Sequence, residues 1–214
     1  MKHSTYISYV VIFCASITLP LNGMKPLKVV YRWGDIAFAN VFRRNETPVY
    51  MNDAKTIMLA PTMQKPMEIS TTGLIGCTAT VTYIRDKKGY KYAIVTHYSD
   101  NNEDHIAALK DQIRSIEAQD PEFVRFFTIM PKESPSYHAK GHQKFIDIMR
   151  NELVDTVQKN VGCSALDINH IDYALPPMHR FDKTNVYVTL SNNNKPVSQC
   201  LIQSYNDSKL IALE

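Results

Sequence analysis

From residue 69 onward the chain switches repeatedly between two periods of hydrophobicity. "TATVTYI" sets Ala79, Val81 and Tyr83 between Thr78, Thr80 and Thr82, a period of two that predicts a strand with one apolar and one hydroxyl-bearing face. "YKYAIVTH" predicts its return partner. The intervening "DKKG", with Gly89 able to take a positive φ, predicts a hairpin loop of three or four residues. In "EDHIAALKDQIRSIEAQ" the period lengthens: Ile106, Leu109, Ile113 and Ile116 recur at helical spacing, with acids in the first turn and Pro121 as the stop. "FVRFFTIM" predicts a strand, followed by a loop marked by Pro131 and Pro135. A second helix is expected from about Tyr137 to Lys159, with Phe145, Ile148, Met149, Leu153 and Val157 as its stripe and "NVG" as its end. "ALDINHIDYAL" predicts a strand broken by Pro176 and Pro177, and "NVYVTLSNNNKPVSQCLIQS" a last hairpin around the asparagine run.

The order from residue 69 is therefore β-β-α-β-α-β-β-β. It predicts an α/β fold of the α+β sandwich kind, a mixed, largely antiparallel β-sheet core with two principal helices packed outside. Further upstream, "LKVVYRW" and "IAFANVF" read as β-rich, whereas the proline-punctuated "RRNETPVYMNDAKTIMLAPTMQKP" supports no assignment. The expected organisation is a signal peptide over 1–23, a β-rich lead segment over 24–66 and the main domain over 67–214, with 24–214 forming one compact unit.

Composition narrows the function classes. With 214 residues, 44% of them hydrophobic, the chain can bury a core. A net charge of +3 without long Lys/Arg runs argues against nucleic-acid binding. Lys2 and His3 lead into the apolar "YVVIFCASITLPL", which has the order of a secretory signal and is too short to span a bilayer comfortably. Export is expected, with no stable membrane insertion; a true start at Met24 would instead leave the protein cytoplasmic. Beyond Cys14 in that leader the cysteines are Cys77, Cys163 and Cys200, an odd number that leaves pairing of the last two open.

Candidate chemistry lies at the open end of the first hairpin. Counting outward from a turn near Lys87 and Lys88 brings Cys77 and His97 to the same level, within about one pairing step. Opposed residues there have Cβ atoms about 4.5 to 5.5 Å apart and diagonal ones about 7 to 8 Å. A neutral thiol is a poor nucleophile at neutral pH, and an adjacent imidazole can take its proton. In "TTGLIGC", Gly73 and Gly76 let the backbone turn sharply and aim amide N–H groups at a substrate oxygen. Thr71 or Thr72, or Asp100 beyond the strand, could orient the imidazole. "HAKGH" sets His138 and His142 four apart, but no third ligand stands nearby, so no metal site is expected.

"TTGLIGC", a β-hairpin and then histidine resemble the active-site segment of the chemotaxis receptor glutamine deamidases, the CheD family. The Cys/His arrangement is also similar to that of the cytotoxic necrotising factor toxins, which deamidate a GTPase glutamine. "THYSD" resembles the histidine segment of the protein N-terminal asparagine amidohydrolases. The resemblance covers about residues 67 to 200, with motif-grade likeness only around Cys77. It implies a CheD-like fold and a cysteine amidohydrolase with Cys77 as nucleophile, His97 as catalytic histidine, Thr71 as the third member, and oxyanion and turn roles at Gly76 and Gly73. It implies no metal or organic cofactor. The chain departs from the family where Met130-Pro131-Lys132 replaces a glycine pair, and in its leader, which is foreign to a cytosolic chemotaxis enzyme.

The expected activity is thus deamidation of a glutamine or asparagine side chain in a partner or host protein, through a thioester. The alternatives are a non-catalytic binding domain of the same fold, or a cysteine protease or transglutaminase using the same Cys-His pair.

Overall fold

The alternating segments pair into two sheets rather than one. The computed structural model describes residues 46–99, 102–116, 120–132, 142–163, 165–175, 183–193, 197–204 and 207–214. The leader, the two β-rich segments before residue 46, Asp100 and His138 lie outside these residues. One sheet has the order β1-β3-β8-β9-β10, from β1 (Glu46–Val49), β3 (Met67–Leu74), β8 (Thr184–Leu190), β9 (Gln199–Gln203) and β10 (Ser208–Ala212). The other runs β2-β5-β4-β6-β7, from β2 (Asp53–Leu59), β5 (Lys91–Tyr98), β4 (Thr78–Asp86), β6 (Pro121–Pro131) and β7 (Leu166–Tyr173). Pairing is antiparallel except for β1 with β3 and β6 with β7. Helices α1 (Asn102–Ser115) and α2 (His142–Val161) accompany the second sheet.

Period-two alternation on β4 explains the layering. Ala79, Val81 and Tyr83 enter a core shared with Ile69, Val186, Val188 and Cys200 of the first sheet. The opposite face carries Ile84, which joins Leu109 and Ile113 of α1 and Met149, Leu153 and Val157 of α2 in a second core. Thr78, Thr80 and Thr82 on that face are buried too. Two of the hydroxyls are accommodated locally: Thr80 and Thr96 share a hydrogen bond at 2.6 Å, and Thr78 donates to Met149 Sδ at 3.4 Å, while the Thr82 hydroxyl has no hydrogen-bond partner among the described residues. β4 is thus central in both senses, with strands on either side and apolar layers above and below.

The β4–β5 loop is the four-residue turn that "DKKG" predicts. Gly89 has φ +83°, its N–H donates to the Asp86 carbonyl at 3.0 Å, and the Asp86 carboxylate accepts from the N–H groups of Lys88 and Tyr90.

Several expectations need correction. The "proline-punctuated" stretch contributes β1 and β2, one to each sheet. α1 ends at Ser115, and Pro121 opens β6 instead of closing the helix; Pro131 is the last residue of that strand. On α2 the buried stripe contains Ile146, while Ile148 is 45% exposed. The reason is angular: Ile146, Met149, Leu153 and Val157 follow the three-and-four spacing of one helix face, and residue 148 falls off it. Cys77, Cys163 and Cys200 are all thiols, without a disulfide between Cys163 and Cys200. No helix among the described residues is long and apolar enough to cross a membrane.

Candidate functional site

The site forms where β3 leaves one sheet, turns, and continues as β4 of the other. β3 carries Thr71 between Val49 of β1 and Val186 of β8, then loses its register between Thr71 and Leu74. Gly73 stands in this irregularity with φ +84°, and Gly76 in the following turn with φ +77°. Both conformations disfavour L side chains. At Gly76 the demand is conformational only, since no atom lies within 4 Å of where a Cβ would stand. Gly73 N–H donates to Asn185 Oδ1 at 3.1 Å, so its role is to shape and fasten the turn rather than to bind an oxyanion.

Cys77 follows at once, 9% exposed, with its thiol 3.8 Å from the carbonyl oxygen of Ile75. The β4–β5 register pairs Ala79 with His97. Cys77, just outside β4 and two residues before Ala79, belongs with it to the inter-sheet core, and extending the β4–β5 register by one residue sets it a diagonal step from His97.

His97 is oriented across the gap between the sheets. Its Nδ1 lies 2.8 Å from the Thr71 hydroxyl, in a buried hydrogen bond. Thr72 is exposed and takes no part. Asp53 is opposite His97 on β2, but its carboxylate is engaged by the Ala54 N–H at 2.8 Å and the Lys55 ammonium at 3.3 Å. His97 is 3% exposed, and its Nε2 is buried without a hydrogen-bond partner among the described residues. Burial pushes the His97 pKa below its ordinary value, because the imidazolium would lose its hydration without gaining a counter-charge. A hydroxyl partner permits either tautomer. When Nδ1–H donates to Thr71, Nε2 presents a lone pair, the form a general base requires.

Three contributors escape a reading of the sequence. Tyr173 donates its buried hydroxyl to the Cys77 carbonyl at 2.7 Å, and Asn185 holds Gly73 from β8; both look like ordinary strand residues. The third is His105. It stands on α1 and is fully buried, with Nε2 2.6 Å from the Thr96 hydroxyl and its ring stacked on Tyr98 at 4.8 Å. Burial, and secondarily the proximity of His97, depresses its pKa to about 3. Its only trace in the sequence is a histidine beside the acidic first turn of a helix.

Two open depressions run along α1, one including Lys110, Arg114 and Glu152, the other Asn52, Tyr98 and Ser99. Neither is lined by Cys77 or His97. Among the described residues no three His, Cys, Asp or Glu side chains gather as a metal-ligand set.

The chain is similar in fold, at a distance, to a solved bacterial domain. This is the C-terminal domain of CNFy from Yersinia pseudotuberculosis, with a TM-score of 0.39 and 14% identity over 76% of this chain and 59% of that one. The chain therefore spans less than two thirds of that chain's length. Likeness of this degree assigns no activity. No family model matches the sequence, and no curated protein matches it.

Proposed function

We propose that the protein is a cysteine amidohydrolase that deamidates a glutamine or asparagine side chain of a protein substrate. The observation that carries this reading is the hydrogen bond between Thr71 and His97 Nδ1, which leaves the buried Nε2 without a partner on the face that Cys77 shares. A buried polar nitrogen left unsatisfied costs about 1–3 kcal/mol, and sites of chemistry are where such a cost is retained.

In the proposed reaction the Cys77 sulfur attacks the carboxamide carbon while His97 Nε2 takes the thiol proton. Burial keeps His97 neutral at pH 7 and hence able to accept it. The amide N–H of Gly76, in the positive-φ turn just before Cys77, donates to the developing oxyanion. His97 returns the proton to the departing nitrogen, ammonia leaves, and a thioester remains. Water, deprotonated by His97, then cleaves the thioester, releasing the side-chain carboxylate and restoring the thiol. Every step uses groups of this chain and its substrate. The segment resemblance to the CheD family supports the same roles for Cys77, His97 and Thr71, and the apolar leader supports export toward a partner or host protein.

One observation favours the alternative of a non-catalytic binding domain: Cys77 is only 9% exposed, and neither open depression reaches it. Mass spectrometry of candidate proteins incubated with wild-type protein or Cys77→Ser separates the readings. The proposal expects a one-unit mass gain per modified glutamine or asparagine with wild type alone. Cut chains or amine adducts would reassign the acyl chemistry to proteolysis or transamidation. Equal mass gain from both proteins would contradict the role of Cys77.

A further inference from the structure

The backbone of Cys77 is held by an unusual substitution of donors. Thr80 N–H donates toward β5, to the Thr96 hydroxyl. Backbone groups of successive residues in an antiparallel strand point to alternate sides, so the odd-numbered residues of β4 aim at β6. Ala79 pairs there with Ile129, the last pair of the β4–β6 ladder, and two residues further along each strand's path Cys77 and Pro131 would stand at the same level. Proline has no N–H, so residue 131 cannot extend the β4–β6 ladder toward the Cys77 carbonyl. β7 supplies a donor instead. Tyr173 is the register partner of Pro131, and its hydroxyl reaches past that strand to the Cys77 carbonyl at 2.7 Å. Tyr173 is 2% exposed and lies in the inter-sheet core beside Ile129 and Ile171, so its ring has little freedom.

We infer that Tyr173 is a positioning residue for the nucleophile, its hydroxyl standing in for the N–H that Pro131 lacks and fixing the Cys77 peptide so that the thiol faces His97. The inference rests on the amidohydrolase reading of the site. Its consequence is geometric: the carbonyl of the residue bearing the thiol is anchored from β7, while Asn185 anchors the other end of the turn at Gly73 from β8. The turn is thereby clamped from both sheets, and a nucleophile displaced by even about 1 Å can lose on the order of a hundredfold in rate.

The test uses iodoacetamide at pH 7, with the alkylation rates of Cys77 and Cys163 read separately by peptide mass spectrometry. Tyr173→Phe removes one oxygen atom and is expected to slow Cys77 about tenfold without changing Cys163. Adding Pro131→Ala supplies an N–H at the level of the Cys77 carbonyl and is expected to return Cys77 to within about twofold of wild type. A role of the hydroxyl in general packing would not be rescued from another strand. If Tyr173→Phe does not fold alone, the double variant carries the test through the same rate. A Tyr173→Phe protein alkylated as fast as wild type, or a folded double variant that stays slow, overturns the inference. A wild-type Cys77 no faster than Cys163 overturns the amidohydrolase reading and this inference together, which keeps the two failures distinct.

Discussion

Thr71 does for His97 what a carboxylate does in many nucleophile–base pairs, but with different electrostatics. A hydroxyl fixes the ring plane without adding negative charge, so nothing offsets the burial that disfavours the imidazolium. Thr71→Val keeps the shape and removes the hydrogen bond. It is expected to lower the proposed deamidation about tenfold to a hundredfold through misorientation of the ring, measured as turnover against wild type on the same substrate. An unchanged rate would remove Thr71 from the machinery. At this scale the sequence was informative where chemistry coincided with a local pattern. Cys77 and His97 could be placed at the same end of one hairpin by counting, and the positive φ of Gly76 read from its place in the turn. Tyr173 and Asn185 could not, because they reach the turn from strands about a hundred residues away in the chain, and their residue types suit any strand.

The β4–β5 hairpin was legible because its signals agree: alternating β-branched residues, an aspartate able to bond the turn amides, and a glycine at the positive φ. α2 was legible in kind but not in facing. Its sequence offers both Ile146 and Ile148, and only Ile146 keeps the three-and-four spacing to Met149, Leu153 and Val157 that the buried face requires. That choice has a measurable consequence. Met149→Ala, which opens space in the helix-side core, is expected to cost about 2–5 kcal/mol in urea unfolding, and Ile148→Ala less than about 0.5 kcal/mol. The reverse ranking would mean that the helix presents another face. β1 and β2 were unreadable for a plainer reason. β1 is only four residues long, both are bordered by proline or by turn residues, and the strands that complete them belong to other parts of the chain.

Across the whole molecule, division into two sheets makes the site possible, since Thr71 belongs to one sheet and His97 to the other. Single-sequence periodicity shows that a strand has an apolar face, but not which other strands it faces, so a one-sheet core and a two-sheet sandwich look alike. The same layering buries His97 and His105 and couples folding to pH. In the unfolded chain both imidazoles protonate near about 6.5. In the fold both pKa values are depressed, that of His105 to about 3. Their contribution to stability is therefore full above about pH 6.5 and is lost as pH falls toward 3, by up to about 1.4 kcal/mol per pH unit for His105. Urea unfolding is expected to show a lower midpoint at pH 5 than at pH 7, with a smaller difference in His105→Gln. Equal midpoints for the wild type would contradict the burial of both rings. The central claim, that His97 activates Cys77, is tested most directly by the rate of Cys77 alkylation at pH 7 in wild type and in His97→Ala, with Cys163 as the internal reference. The account predicts that Cys77 outpaces Cys163 in wild type and falls to the rate of an ordinary thiol in the variant; a Cys77 that reacts no faster than Cys163, or that is indifferent to His97→Ala, would contradict it.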